Sequence, residues 1–148
     1  MAKATYWTVT DAEARKCGEQ TGLDTLVVHA KAGVDIRAMS VADTNDFGIF
    51  RLIVTDIAKA KQALDDANAF VSITEVVGVA VQDEPGALAK VVKILADANI
   101  NIEYMYAFIT VSKQFAYVVL RVEDNAAAEK ILTENGIELV TEEDMAKL

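Results

Sequence analysis

The stretch VQDEPGALAKVVKILADANINIEY, at Val81–Tyr104, contains the strongest local signals in this sequence. Its apolar start predicts the end of a strand, and Pro85 and Gly86 predict a tight turn into a helix. Asn99 suits the left-handed position that commonly ends a helix. Between the turn and Asn99, apolar residues recur at i, i+3, i+4 and i+7, which is one face of a helix. These residues are Leu88, Val91, Val92 and Leu95.

The chain after this helix continues the alternation of strands and helices. The sequence predicts strands over Ile100–Phe108 and Phe115–Val122, where apolar residues alternate with others. Asp124 is placed as the N-cap of a helix over Asn125–Glu134, which the pair Asn-Gly ends. Ile137–Val140 then predicts a closing strand, so the second half has the order βαββαβ.

The first half repeats this pattern. Residues in Phe47–Leu64 match residues in Phe115–Leu132 at an offset of 68, and Ala32–Met39 aligns with Ala98–Met105 at an offset of 66. The offset changes only at predicted loops, where insertions are tolerated, and this indicates a duplication. The strand over Phe70–Val81 closes the first copy and opens the second.

The repeat predicts an α+β fold of two ferredoxin-like βαββαβ repeats with antiparallel sheets, at residues 1–73 and 74–148. A copy of about 70 residues buries too little apolar surface to be very stable alone, and its strand edges are exposed. No linker rich in proline, glycine or serine separates the copies. We therefore expect the repeats to pack side by side as an intramolecular pseudo-dimer.

Composition excludes several classes of function. The 148 residues carry a formal charge of −9, which would repel nucleic acid and anionic membrane surfaces. One cysteine, Cys17, and one histidine, His29, cannot form a disulfide or a thiolate–imidazole metal cluster. With no apolar run long enough to span a membrane and no secretory signal, we expect a soluble cytoplasmic protein without metal or cofactor.

The turn before the predicted helix has the chemistry of a small ligand site. A helix N-terminus offers unpaired N–H groups and a partial positive charge to a carboxylate. Gly86 would let the ligand approach the backbone, and Asp83 could accept hydrogen bonds from an ammonium group. The alternative is that Pro85 and Gly86 only make a tight turn into the helix.

The segment Val81–Tyr104 resembles the ACT domain family, and both halves together resemble the small stand-alone tandem ACT proteins of bacteria. The resemblance implies a regulatory module that binds an amino acid or another small metabolite where two copies meet. It also implies a partner enzyme or a second copy of the chain as the recipient of the signal. The implied ligand-binding residues are those of the loop and of the two strand openings: Asp83, Pro85, Gly86, Ala87, Leu88, Asp35 and Asn101.

The first copy departs from this pattern. It has Glu19–Gly22 where the second copy has Asp-Glu-Pro-Gly, and the stretch Thr10–Gln20 is longer than the family's tight turn. We interpret that stretch as a polar excursion with a short helix over Asp11–Cys17. A single site, in which Asp83–Leu88 faces Asp35, is therefore favoured over a symmetric pair of sites.

Two other functions remain open at this stage. Exposed strand edges and the altered first loop would suit a structural dimerisation module without a ligand. A small enzyme that uses Asp35 and Asp83 as acid and base is the other alternative, but no nucleophile, metal cluster or phosphate-binding loop accompanies them. We expect a binding protein with no catalytic residues.

Alternation along the strand Ile100–Phe108 places Tyr104, Tyr106 and Phe108 on one face and Met105 on the other. The aromatic face is expected to be packed in a core or between the copies, or else to form the wall of an apolar pocket. Met105 matches Met39 of the first copy.

Overall fold

A computed structural model describes residues 5–11, 21–43, 48–108, 114–141 and 144 of the chain. The chain divides into two compact units. One unit is Trp7–Thr74, and the other combines Met1–Tyr6 with Glu75–Leu148. The division predicted between residues 73 and 74 falls inside a strand that runs without interruption over Val71–Gln82.

In its described residues, the first repeat contains three strands and two helices before that long strand. Its elements are β1 (Thr5–Asp11), α1 (Thr21–Ala32), β2 (Ile36–Asp43), β3 (Gly48–Val54) and α2 (Ile57–Asp66). Strand β3 lies between β2 and β1 and pairs antiparallel with both.

The second repeat has the same order of elements. They are β4 (Val71–Gln82), α3 (Ala87–Asp97), β5 (Ile102–Ala107), β6 (Phe115–Val122), α4 (Asn125–Glu134) and β7 (Glu138–Leu139). Strand β6 pairs antiparallel with β4 and β5, and β7 pairs antiparallel with β4. The α+β fold of two βαββαβ repeats with antiparallel sheets is thereby confirmed. The side-by-side arrangement of the repeats stays a prediction.

Each repeat has an apolar core between its strands and helices, and the two cores use matched positions. Leu52 and Leu64 of the first repeat are fully buried, and so are Leu120 and Leu132, which lie 68 residues later. The positions that match at an offset of 68 therefore include the buried core residues of each repeat.

Helix α3 is rotated slightly from its predicted orientation. Val91 and Leu95 are buried as expected, but Leu88 is 37% exposed. Ala87 packs against the core in its place, so the buried stripe begins one residue earlier than the sequence indicated. Because Val91 and Leu95 stay buried, the difference is small: the buried stripe is centred nearer to Ala87 and Ile94, and Leu88, about 100° from Ala87 around the helix axis, lies at its edge.

Helices α1 to α4 end in the same way, with a left-handed residue followed by a bond from the next N–H back to the last turn. The predicted left-handed Asn99 is confirmed, with φ of 56°. Glycine and asparagine exchange places between the repeats, because both residue types adopt positive φ at low cost. The matched pairs are Gly33 with Asn99 and Asn68 with Gly136.

Helices α2 and α4 begin with matched aspartate caps. The Asp56 carboxylate accepts a hydrogen bond from the Lys59 N–H at 3.0 Å, and the Asp124 carboxylate accepts one from the Ala127 N–H at 2.9 Å. The cap predicted at Asp124 is confirmed, and so are the helix bounds that it sets, Asn125–Glu134.

We expect Asp124→Ala to destabilise the protein by about 1 kcal/mol, within the range of roughly 0.5–2 kcal/mol typical of lost N-caps. Urea unfolding followed by circular dichroism measures this loss. Asp97→Ala is the matched control, because Asp97 forms only an exposed i,i+4 ion pair with Lys93 at 2.8 Å. Such pairs contribute roughly 0.3–0.5 kcal/mol, so equal losses in the two variants would contradict the capping role.

The altered loop of the first repeat begins later than expected. Thr10 and Asp11 belong to β1, where they pair with Arg51 and Phe50, so they are not part of an excursion. Helix α1 begins at Thr21. The remainder of the predicted excursion and its helix lies at residues 12–20, outside the described residues.

Candidate functional site

The loop between β4 and α3 is held in place by backbone hydrogen bonds. The Asp83 N–H donates to the Gln114 carbonyl at 3.1 Å, the Glu84 N–H to Gln82 at 2.8 Å, and the Ala87 N–H to Glu84 at 3.2 Å. The first bond joins this loop to the residue before β6, so the turn is anchored to its own sheet.

Gly86 occupies the N-cap position of α3 with φ of 91°, in the left-handed region. A Cβ atom at this position would meet no atom of the described residues within 4 Å, so contacts with those residues do not require glycine here. The backbone conformation does, because a side chain disfavours positive φ. The sequence signal Pro85-Gly86 thus corresponds to a left-handed turn that opens directly into the helix.

The N-terminus of α3 differs chemically from those of α2 and α4. No side chain caps it, whereas the carboxylates of Asp56 and Asp124 cap α2 and α4; the first turns of all three helices lack acidic residues. The first N–H groups of a helix have no partner within the helix and carry a partial positive charge. This end of α3 therefore keeps hydrogen-bond donors that a ligand carboxylate could use.

A cavity of about 490 Å³ lies at this helix terminus. Glu84 and Lys90 bring charges of opposite sign to its wall, and Glu138 adds a second carboxylate. The wall is built from four places in the second repeat, namely the end of β4, the loop with α3, the start of β6, and the turn into β7 with its first residue. Its other residues are Ala80, Val81, Gln82, Pro85, Gly86, Ala87, Val91, Phe115, Gly136 and Ile137.

The predicted loop residues divide into two groups around this cavity. Pro85, Gly86 and Ala87 line it, whereas Asp83 and Leu88 are exposed and are not part of its wall. Glu84 and Lys90 are charged wall residues that the sequence analysis did not select. A helix period gave the signal for Lys90, because a residue four positions after Gly86 returns to the same side of the helix.

Asn101 lies at the other end of the second repeat's sheet. It directly precedes β5, whose first residue Ile102 pairs with Val122 at the end of β6, whereas Gln82 pairs with Phe115 at the start of β6. Asn101 lines cavities of about 720 and 430 Å³ there, with Asn99 and Ile100 on both. Within this repeat, Asn101 and the Pro85-Gly86 loop therefore do not share a cavity.

Asp35 holds the matched position in the first repeat and presents an exposed carboxylate. Its backbone N–H donates to the Thr55 hydroxyl at 3.3 Å, and its carbonyl accepts from the Thr55 N–H at 3.0 Å. Its carboxylate lies 3.3 Å from the Arg37 guanidinium and keeps 64% of its side chain exposed. That the Asp83–Leu88 loop faces Asp35 in one binding site stays a prediction.

A β-bulge that the sequence did not predict recurs in both repeats. The register of β2 against β3 shifts between Ile36 and Ala38, and that of β5 against β6 shifts between Ile102 and Tyr104. The extra residues, Arg37 and Glu103, are 66 positions apart, so the irregularity is part of the duplicated unit. Bulges commonly re-aim side chains near functional sites.

The two bulges carry opposite charges with different partners. Glu103 pairs with Arg121 across the strands at 3.5 Å, and Arg121 also donates to the Glu75 carbonyl at 3.2 Å. Arg37 instead pairs with Asp35. The two repeats thus share the same backbone irregularity but place opposite charges there. The bulge at the start of β2 carries Arg37, and the bulge at the start of β5 carries Glu103.

The aromatic face of β5 forms as predicted. Tyr106 and Phe108 are buried, and Met105 on the opposite face is 45% exposed. The Tyr104 and Tyr106 rings stack with centroids 6.3 Å apart, and Phe108 meets Tyr117 edge-on at 6.4 Å. None of these rings lines the cavity at Gly86. They therefore pack against one another and the rest of the protein and do not form a wall of that cavity.

The sequence matches the model of a known protein family. The family model of an ACT domain pair matches residues 14–148. None of the curated proteins matches the sequence.

Solved structures show the same fold. Protein BT0572 from Bacteroides thetaiotaomicron is 34% identical, covers 98% of each chain and has a TM-score of 0.86. The regulatory subunit of aspartate kinase from Thermus thermophilus is 14% identical over 90% of this chain and 94% of that one, with a TM-score of 0.63. The corresponding subunit from Thermus flavus is also 14% identical, over 90% and 97% of the two chains, with a TM-score of 0.59.

In the described part of the chain, no helix is both long and apolar enough to cross a membrane, and no group of His, Cys, Asp and Glu side chains could hold a metal ion.

Proposed function

Because this chain belongs to the family of ACT domain pairs, we propose that it is a regulatory protein that senses a free amino acid at the Gly86 cavity. ACT domains bind small molecules and regulate partner enzymes. The observation that carries the proposal is the uncapped N-terminus of α3, which opens at Gly86 onto a cavity with Lys90 in its wall.

The charges of this cavity suit a zwitterion. Donors of the first helical turn and the Lys90 ammonium both favour the ligand's carboxylate at this end of the cavity. Glu84 and Glu138 offer carboxylates to the ligand's ammonium group, a role that the sequence analysis assigned to Asp83. A neutral or purely anionic metabolite would leave these acids without a partner.

Asp35 belongs to the proposal as the strand-opening residue that the family resemblance places opposite this loop, whereas Asn101, which shares no cavity with the loop in its own repeat, would belong to a second site. Both are exposed, so their side chains are accessible to a ligand. The catalytic alternative gains no support from the described residues, because Asp83 is exposed and outside the cavity wall.

We expect one or two of the twenty amino acids to raise the midpoint of thermal unfolding. Ligand at 100 times its dissociation constant adds about 2.7 kcal/mol to folding stability, which gives a clear shift. Calorimetry then measures the affinity of each hit for wild type and for Lys90→Gln. We expect the substitution to weaken binding roughly two- to fivefold, from a loss of about 0.5–1 kcal/mol.

Lys93→Gln provides the matched control. Lys93 is on the same helix and pairs with Asp97, but it does not line the cavity, so ligand affinity should stay at the wild-type value. Two results would overturn the proposal. One is a flat panel confirmed by calorimetry, and the other is an equal effect of the two lysine substitutions.

A further inference from the structure

The second repeat has another cavity, of about 720 Å³, at the end of the sheet where β5 begins and β6 leads into α4. It shares no wall residue with the Gly86 cavity, and its wall residues all belong to the same compact unit. We name it the Asn125 cavity. Together with Asn125, its wall includes the charged residues Glu75, Arg121, Glu123 and Asp124.

The first repeat has different chemistry at three matched positions, 68 residues earlier. It has isoleucine at the positions that match Arg121 and Asn125, and threonine at the position that matches Glu123. Of these isoleucines, Ile53 is fully buried and Ile57 packs against the first core. The duplicated fold therefore accepts apolar side chains at this end, so folding does not explain the charged and amide groups of the second repeat.

Asn125 leaves a buried polar atom without a partner. Its Oδ1 atom is buried, and no donor among the described residues lies within hydrogen-bonding distance of it. Such an atom costs folding free energy, and native proteins usually satisfy it. The Asn125 side chain as a whole is only partly buried and lines the cavity. A change of its rotamer can therefore turn this oxygen toward a donor that enters the cavity.

The wall of the cavity favours a cation. Three carboxylates, those of Glu75, Glu123 and Asp124, against one guanidinium give it a formal charge of −2. That guanidinium is already engaged, because Arg121 pairs with Glu103 at 3.5 Å. The C-terminal end of α3, which carries a partial negative charge, also lies at the cavity, since the residues that follow this helix line the wall.

We propose that the Asn125 cavity is a second ligand site of this protein and that it binds an aliphatic diamine. Two ammonium groups balance the formal charge of the wall and offer donors to its carboxylates and to the Asn125 oxygen. Ile100 and Ala126 give the wall an apolar part that the carbon chain between the ammonium groups can contact. This site is separate from the amino-acid site at Gly86 and does not depend on it.

Calorimetry with putrescine, the four-carbon diamine, tests the proposal. Butylamine and butanediol are the matched probes, because they keep the carbon chain and lack one or both ammonium groups. We expect putrescine to bind roughly tenfold more tightly than butylamine, since its second ammonium group pairs with a further carboxylate. Butanediol should show no binding. Magnesium chloride shows whether any divalent cation stabilises this acidic chain to the same extent.

Asn125→Ile introduces the residue of the matched position in the first repeat. It should weaken putrescine binding roughly tenfold, because a hydrogen bond to a charged group is lost. It should also leave the thermal midpoint of the free protein at or above the wild-type value, because an apolar side chain replaces an unpartnered polar atom. An asparagine that served folding alone would give the opposite result, namely a lower midpoint with unchanged affinity.

Glu123→Gln removes one carboxylate of the wall and should weaken putrescine binding roughly threefold. Glu134→Gln is the matched control. Glu134 lies on α4 and pairs with Lys130 at 4.0 Å, but it does not line the cavity. Its substitution changes the charge of the chain by the same amount and should leave the affinity at the wild-type value.

Circular dichroism shows whether each variant folds, and Glu123→Gln tests the site even where Asn125→Ile does not fold. The proposal is overturned by an absence of binding heat for putrescine, by equal affinity for either matched probe, or by equal stabilisation with magnesium chloride. It is also overturned if either folded cavity variant binds putrescine as tightly as wild type, or if Glu134→Gln weakens binding as much as Glu123→Gln.

Discussion

Gly86→Val is expected to abolish high-affinity amino-acid binding and to destabilise the protein by about 1–3 kcal/mol. The backbone of Gly86 has φ of 91°, and β-branched residues are strongly disfavoured there. The added side chain would also stand at the wall of the cavity, where the donors of α3 are exposed. We expect the dissociation constant to rise at least tenfold, roughly 1.4 kcal/mol of binding energy.

Gly33→Val separates strain from binding. Gly33 also has positive φ, at 64°, but it ends α1 in the first repeat and does not line the cavity. A Cβ atom there would meet only the Lys59 ammonium, at 3.8 Å. Urea unfolding should show similar losses for the two variants, whereas calorimetry should show normal affinity for Gly33→Val. Equal losses of affinity would mean that Gly86 acts through stability alone.

Leu120→Ala is expected to cost about 2–5 kcal/mol of folding free energy, the range for large-to-small changes in a packed core. Leu120 is fully buried in the core of the second repeat, between strands and both helices. Removing its side chain takes away apolar contacts and leaves a cavity that the neighbours fill only in part. The midpoint of urea unfolding measures the effect, provided that the slope is unchanged.

Two further leucines make this experiment specific. Leu52→Ala should cost a similar amount, since Leu52 occupies the matched, fully buried position of the first repeat. Leu88→Ala should cost less than about 1 kcal/mol, because Leu88 is 37% exposed. A small loss for Leu120→Ala, or a large one for Leu88→Ala, would contradict the burial described for these side chains.

Local chemistry was enough to predict the elements of the second repeat. Helix α4 begins after Asp124 and ends at Glu134, as its cap and its Asn-Gly end indicated. Such signals act within one helical turn, so they can be recognised without knowledge of the rest of the fold. The duplication was also visible, because matched positions such as Leu52 and Leu120 must remain apolar to fill equivalent cores.

The candidate site was predictable only in part. Pro85, Gly86 and Ala87 could be chosen because one local turn places them at a helix N-terminus. The cavity wall also includes Phe115 and Glu138, which come from distant parts of the chain. No spacing in the sequence connects these residues, since antiparallel pairing of β4 with β6 and β7 brings them together.

The sequence by itself determined the order of strands and helices and the turn that opens α3, because these depend on residues a few positions apart. It also determined the repeat, because the two copies can be aligned directly along the chain. Tertiary structure alone decided that Leu88 faces solvent and that Asn101 lies at the far end of its sheet. It also decided where the bulges at Arg37 and Glu103 fall. Helix rotation and strand register are set by how whole faces pack, and a one-residue shift in strand register moves every side chain of that strand to the opposite face of the sheet.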